Sequence, residues 1–496
     1  MPTPDSAAAP ANAAGEEASP PRPIDPATPA PQADADGLGD VLDHLRQLKT
    51  PGAAHAQDAS ILDGLYTRSI AAVEVCLPAL AEISLPIPRK PRQSLRKMQE
   101  ALAALAGLLL AATADGMPAD GARPLALWRA LHLLSRHLLI SSLTASPPGA
   151  GIWRRLHQAY ALADRHGAAH AVPAGAARSP LDEYYAAILL GCAQPTSFTS
   201  REVIFLDAYL ERFSERVDTH HGDPAGSPVT FWIDPDSDAP ATPYARKPPT
   251  PETPVRSFSC GRLAALLETQ LAALEDGTPP EDLDLPLFAA TAAGQGVLNR
   301  LINLWGNPGK RRFPRRRQNY RGELCLGFDN LCRLYRPVPQ PVETSAWMIT
   351  NESPDGYAVM HLAGKTRAIT VGDVAALRTE TGDNWQLCII RWALSENQEH
   401  LELGLQILSS RAYTADVALP AETEEATACR RPALVLPAAP VLRPHEALVV
   451  PSGALAGRSK NLVLVVERDR VEVREISTAR CDEQNGVIEL YGIVPD

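Results

Sequence analysis

The 496-residue chain has few aromatics, at 5%, and its eight cysteines form no CxxC pair. They stand apart at Cys76, Cys192, Cys260, Cys325, Cys332, Cys388, Cys429 and Cys481, several among apolar neighbours, as in GELCLGF and WQLCIIRW. That pattern lacks zinc-ligand spacing and predicts buried free thiols in a reducing compartment. Long apolar runs are missing too. The longest, Ala101 to Ala114, falls short of the roughly 20 residues a membrane span needs. It alternates Ala and Leu after a basic segment and reads as a packed helix. No basic segment followed by an apolar stretch opens the chain, so the expectation is a cytoplasmic protein without a secretory signal or membrane span.

Catalytic signatures are equally scarce. There is no Gly-x-Ser-x-Gly elbow and no paired-carboxylate motif. GNPGKRR and GALAGRSK echo a phosphate loop but lack the GxxxxGK[ST] spacing, so both read as turns. Asp218, His220, His221 and Asp223 cluster in VDTHHGD, where adjacent histidines in a polar loop read as solvated residues. His132 and His137 are five apart on a helix and do not share a face as an i, i+4 pair does. His157 and His166 read as structural, and Trp128, Trp153 and Trp305 as core residues. The expectation is no enzyme, no metal and no cofactor. A net charge of -11 disfavours a general nucleic-acid surface, though it leaves room for one basic site.

Length allows roughly two to four domains, at about 100–200 residues each. Residues 1–36 hold Ala, Pro, Asp and Glu with little to bury, which predicts a disordered tail. Residues 37–306 repeat apolar positions every three or four residues, from VLDHLRQL onward, and predict an all-α multi-helix module. Ser179 before Pro180, and Thr199 or Ser200 before Glu202, are expected helix caps. An irregular excursion at 219–256 carries one strand-like island, VTFWI. A helix stop follows at Gly306, with Pro308 and Gly309 just beyond.

Beyond Arg317 the period becomes two. ELCLGFDNLCRLYR, SAWMITNES, YAVMHLA, AITVGDVAALRT, NWQLCIIRWALS and LELGLQILSS predict a small six-stranded antiparallel barrel over 307–412. A linker is expected at 413–431 and a C-terminal β unit at 432–496, separate from the barrel or extending it. The fold class expected overall is α+β.

Two features carry chemistry. Lys310 to Arg317 read KRRFPRRR, six cations in eight residues of an acidic protein. Arginine forks match phosphate oxygens two at a time, so the run implies an anionic ligand. Residues 351–356 read NESPDG, a turn between two strand-like segments. Taken alone, the run also reads as a solvated linker or nucleic-acid patch, and NESPDG as an ordinary turn of turn-forming residues.

Taken together and in order, these features resemble the PilZ domain family. An Arg-x-x-x-Arg box, Arg311 with Arg315, precedes the first strand, and Arg312 with Arg316 forms an overlapping copy. Asn351, Ser353 and Gly356 supply an Asn-x-Ser-x-x-Gly turn, followed by VGD at 371–373, IIRW at 389–392 and ELGLQ at 402–406. The spacing from Arg315 to Asn351 is long for the family, with YRPVPQPVETS inserted. The resemblance implies a non-enzymatic bacterial receptor for cyclic di-GMP. Arg311, Arg312, Arg315 and Arg316 are expected to hold phosphate or the guanine edge. Asn351 and Ser353 would bond a base or phosphate, Gly356 would let the backbone turn and leave room for a base, and Arg391 and Gln406 would line the same face. Ligand would then order the arm and bias the modules, with output to an unknown protein partner of the helical module in motility, pilus function, secretion or biofilm. The alternative is an interaction scaffold whose barrel no longer binds nucleotide.

Overall fold

The computed structural model describes residues 59–114, 122–220, 229–250, 252–309, 313–338, 340–396, 400–419, 429–439, 443–455, 459–460, 462–467 and 470–494. The expected 1–36 tail, the VLDHLRQL helix, His221 and Asp223 lie outside them.

Among the described residues, eight α-helices build the N-terminal part: α1 (Ala59–Ala81), α2 (Arg89–Ala114), α3 (Ala122–Leu143), α4 (Ile152–Arg165), α5 (Pro180–Cys192), α6 (Ser200–Phe213), α7 (Gly261–Glu275) and α8 (Ala292–Leu301). Helix α3 is the hub. Its sides bury Leu127, Leu131, Leu134 and Leu138 as well as Arg136 and His137, because α1, α2, α4, α5 and α6 all pack on it. The Ser179 side chain caps α5, with Pro180 at the first position. Thr199 caps α6 through a reciprocal box with Glu202, so the cap is Thr199 and not Ser200.

Burying Arg136 requires a partner, and it finds one in the Asp207 carboxylate through two contacts of 2.7 and 2.8 Å. His132 Nδ1 meets the Tyr66 hydroxyl at 2.7 Å, His137 Nδ1 meets the Gln99 carbonyl at 3.0 Å, and His157 lies between Tyr184 and the Ala239 carbonyl. Burial pushes both His132 and His137 down to about 4.

The excursion is more ordered than one island. Strands β1 (Asp218–His220), β2 (Thr230–Ile233), β3 (Thr242–Pro243) and β4 (Arg256–Ser259) form a sheet in the order β1-β4-β2-β3. Phe231 and Phe258 stack across it with ring centroids 5.4 Å apart, burying its apolar face in the helical core. Short strands with polar neighbours leave too weak a period to read beforehand. Asp218 is ion-paired with Arg262 at 3.1 Å.

Helix α8 continues through a π-helical turn, Ile302–Gly306, and the β part begins after it. Strands β5 (Arg316–Leu326), β6 (Thr344–Ser353), β7 (Gly356–Ala363), β8 (Val374–Thr379), β9 (Gln386–Ser395) and β10 (Leu401–Ser409) close a barrel in the order β10-β7-β6-β5-β8-β9. Alternate residues, among them Leu324, Trp347, Ile349, Val359, Leu377, Ile390 and Leu403, fill its interior.

ELCLGFDNLCRLYR is not one strand. It leaves the sheet at Gly327, whose φ of 87° suits glycine, and becomes helix α9 (Phe328–Leu334). Phe328, Leu331 and Cys332 have helical spacing and pack between the barrels as a helical plug, and the YRPVPQPVETS insertion follows it, running into β6.

The expected linker also folds at both ends. Strand β11 (Tyr413–Leu419) pairs with β12 (Cys429–Leu436). They join β13 (Ala447–Pro451), β14 (Leu462–Glu467), β15 (Val471–Gln484) and β16 (Ile488–Val494) in a second closed barrel, β11-β12-β13-β16-β15-β14. The C-terminal strands therefore do not extend the first barrel. Strand β11 was hidden because only Ala415 and Val417 show buried alternation in so short a segment.

The helical part closes one mouth of the first barrel. Leu85 and Ile87, between α1 and α2, join its interior cluster, and Leu85 exchanges backbone hydrogen bonds with Ile369 at 3.2 and 2.8 Å. Arg92 donates to the Ser395 carbonyl at 2.7 Å and to its hydroxyl at 2.8 Å. Among the described residues, no helix is long and apolar enough to cross a membrane.

Candidate functional site

The NESPDG turn lies at the barrel end opposite the helix-closed mouth. Strands β6 and β7 meet there, and the pairing Ser353↔Gly356 makes a tight hairpin over Pro354 and Asp355. Ser353 Oγ lies 2.5 Å from Asp355 Oδ1 and 3.2 Å from the Gly356 carbonyl. The Ile407 amide donates to the Asp355 carbonyl at 2.9 Å, pinning the turn to β10.

Gly356 is not at a positive φ. A Cβ there would sit 2.0 Å from the Leu405 carbonyl oxygen, so close approach of β10 requires this glycine. The expectation that it serves turn freedom is corrected on that point.

The basic arm enters beside this turn. Arg316 pairs with Glu352 and Arg317 with Asn351 at the start of β5. A bulge between Arg317 and Tyr320 follows, and Gln318 Nε2 and the Tyr320 hydroxyl both donate to Glu352 Oε2 at 3.1 Å. Burial and the Glu352 carboxylate push the Tyr320 phenol well above its ordinary range. Glu352 thus fixes the arm where it joins the sheet. Arg315 and Arg316 are both exposed, whereas Arg311 and Arg312 lie outside the described residues.

Directly paired residues share a sheet face. One row runs Arg317, Asn351, Ala358, Gly404, Trp392 across β5, β6, β7, β10 and β9. A second row runs Ser353, Gly356, Gln406, Ile389. Between them, Tyr357, Leu405 and Ile390 belong to the barrel interior, so both rows face outward. Gly404 has no room for a side chain, because a Cβ would lie 1.8 Å from Trp392 Nε1. An aromatic plate, small residues and a polar rim therefore share one outer face.

Arg391 and Gln406 also meet, with Arg391 Nε donating to Gln406 Oε1 at 2.5 Å. The rest of the Arg391 fork is engaged elsewhere. Its two terminal nitrogens donate to Glu483 Oε1 at 2.7 Å and Oε2 at 2.9 Å, on β15 of the second barrel. Sequence reasoning missed Arg317, Glu352, Trp392 and Glu483. Arg317 was already within the basic run; the others needed strand register to be seen.

The VGD segment precedes β8. Gly372 has a φ of 90° and packs against Asn485, whose amide donates to the Gly372 carbonyl at 3.1 Å. Burial raises the Asp373 carboxyl to about 6, even though the Val374 amide donates to it at 2.7 Å.

Comparison with known proteins agrees with this architecture. Residues 27–224 match the family described as "Cyclic-di-GMP receptor FimW, N-terminal domain". Residues 339–413 match "Cyclic-di-GMP receptor FimW, middle PilZ domain", a stretch that includes the turn and β10 but leaves the arginine arm outside. The chain is similar to the cyclic-di-GMP receptor FimW of Pseudomonas aeruginosa, at 22% identity over 73% of this chain and 72% of the relative. The chain carries a FimW-like N-terminal domain followed by a PilZ domain, a receptor module without catalytic chemistry.

Proposed function

We propose that the protein is a receptor for cyclic di-GMP that binds its ligand on the outer face of the PilZ barrel and signals without chemistry. One observation carries the reading: the register that sets Arg317 opposite Asn351 brings the basic arm beside the NESPDG turn. Arginines of the arm, with Arg315 and Arg316 at its described end, take phosphate oxygens or the guanine edge. Asn351 and Ser353 supply short hydrogen-bonding groups, and Trp392 supplies a flat surface for a purine. The name of the Pseudomonas relative supports the same ligand. The receptor acts in the cytoplasm, and a protein partner reads out the bound state through the helical module. Calorimetric titration of the full chain tests it: micromolar binding is expected, with at least a tenfold loss in Arg315→Ala. Absence of heat at micromolar protein with saturating ligand would sink it.

A second reading, a scaffold whose barrel no longer binds nucleotide, has one observation in its favour. Arg391 already holds a carboxylate in both terminal positions of its fork. A thermal-shift panel of cyclic dinucleotides separates the two, since a ligand that binds the folded state raises its melting temperature.

A further inference from the structure

Glu483 comes from a different barrel than Arg391, and the local backbone brings it there. Strand β15 pairs regularly with β14 but carries two register shifts against β16, between Thr478 and Cys481 and between Cys481 and Glu483. Bulges re-aim side chains and bend a strand. Here they lead into the turn that joins β15 to β16 and lies against the PilZ barrel. Asn485 binds the Gly372 carbonyl there and also accepts the Val487 and Ile488 amides at 2.8 and 2.9 Å. On its other side the turn touches α8, where a Cβ on Gly296 would lie 2.8 Å from the Gln484 carbonyl. The β15–β16 turn is thus wedged between the PilZ barrel and the helical domain, with one charged contact to the PilZ face.

That contact has the form of ligand recognition. Two carboxylate oxygens take the paired nitrogens of the guanidinium as two phosphate oxygens would. Gln406 orients the same guanidinium and stands directly opposite Gly356 of the NESPDG turn.

We propose that the β15–β16 turn is a built-in competitor for the cyclic di-GMP face: Glu483 occupies Arg391 in the ligand-free protein, and an anionic ligand displaces it. This rests on the binding face proposed above and adds its regulation. Displacement removes the charged anchor of the turn and loosens its seat between the PilZ barrel and α8. Binding is thereby reported to both neighbouring parts of the chain. Linkage makes the effect reciprocal, since whatever holds Glu483 on Arg391 lowers apparent ligand affinity by the fraction of protein kept closed.

The test combines calorimetry with amide hydrogen exchange on the full chain, in wild type, Glu483→Gln and Asn485→Ala. Glu483→Gln removes the competing charge at nearly constant shape. Asn485→Ala loosens the turn without touching the ion pair, so the test does not depend on one variant folding. Both variants are expected to bind cyclic di-GMP at least fivefold more tightly than wild type. Saturating ligand is expected to lower amide protection across residues 481–488 of the wild type, and Glu483→Gln is expected to show that lower protection without ligand. Wild-type binding with both variants within twofold of it, and with unchanged protection in this turn, overturns the proposal and leaves the receptor reading standing. Binding by neither the wild type nor the variants overturns both.

Discussion

The Cβ that Gly356 lacks would lie 2.0 Å from the carbonyl oxygen of Leu405, so β7 and β10 approach more closely here than any side chain allows. The approach keeps Ser353, Gly356 and Gln406 in one row at the rim of the candidate site. Gly356→Ala must push backbone against backbone, which costs roughly 1–3 kcal/mol in a packed structure. Denaturant melts should show that loss. The variant should also lose ligand affinity, because the shift moves the turn carrying Ser353.

Glu352 holds the root of the arm through Gln318 and Tyr320. Glu352→Ala is predicted to leave the barrel folded but free the arm, so ligand affinity should fall severalfold. Restoring the acceptor with Glu352→Gln should recover most of it. Titration calorimetry on the three proteins checks this, and equal affinities for wild type and Glu352→Ala would leave Glu352 without a part in binding.

Arg92 joins helix α2 to the end of β9 with two hydrogen bonds to Ser395, both in buried surroundings. Removing a charged donor from such a site costs roughly 1.5–3 kcal/mol. Arg92→Ala should therefore weaken docking of the helical part on the PilZ barrel. The expected signature is a single melting transition in wild type that splits into two in the variant.

His137 is buried and His132 part-buried, and both are held down to about 4, against about 6.5 in an unfolded chain. Their folded values are depressed, so the unfolded state takes up protons first as pH falls. The stability they contribute is complete above about 6.5 and is lost between there and about 4. Each tenfold difference in proton affinity between the two states is worth about 1.4 kcal/mol, so the helical part should lose a few kcal/mol over that window. Urea melts at pH 7, 5.5 and 4.5 should show its midpoint falling before that of the β part.

Much of this architecture is legible in the residues alone. The change of period after Gly306 marks the passage from helices to strands, and all six strands of the first barrel overlap the segments named for them. Other elements were hidden for definite reasons. Helix α9 spans only Phe328–Leu334 and follows a strand without a break in apolar content, so its period has no length in which to show. Strand β11 alternates over too few buried residues. In the site, Asn351, Ser353 and Gly356 were legible because a turn is local in sequence. The Arg391–Glu483 pair was not, because its members are 92 residues apart and meet only through two bulges and the packing of two barrels.

Asp373 offers a last test with the opposite sign. Its carboxyl is raised to about 6 by burial, whereas an unfolded aspartate titrates near 3.9. The folded state therefore binds the proton more tightly, and the charged form is a liability at neutral pH. The penalty is present above about 6, shrinks as pH falls, and is gone below about 4. Asp373→Asn keeps an oxygen for the Val374 amide while removing the charge. Solvent screens part of the charge on this partly exposed side chain, so the variant should be more stable by roughly 1–2 kcal/mol at pH 7.5, with no gain at pH 4. Denaturant midpoints of both proteins at the two pH values decide it. A gain that persists at pH 4 would mean the substitution acts through packing against the Gly372 turn and not through charge.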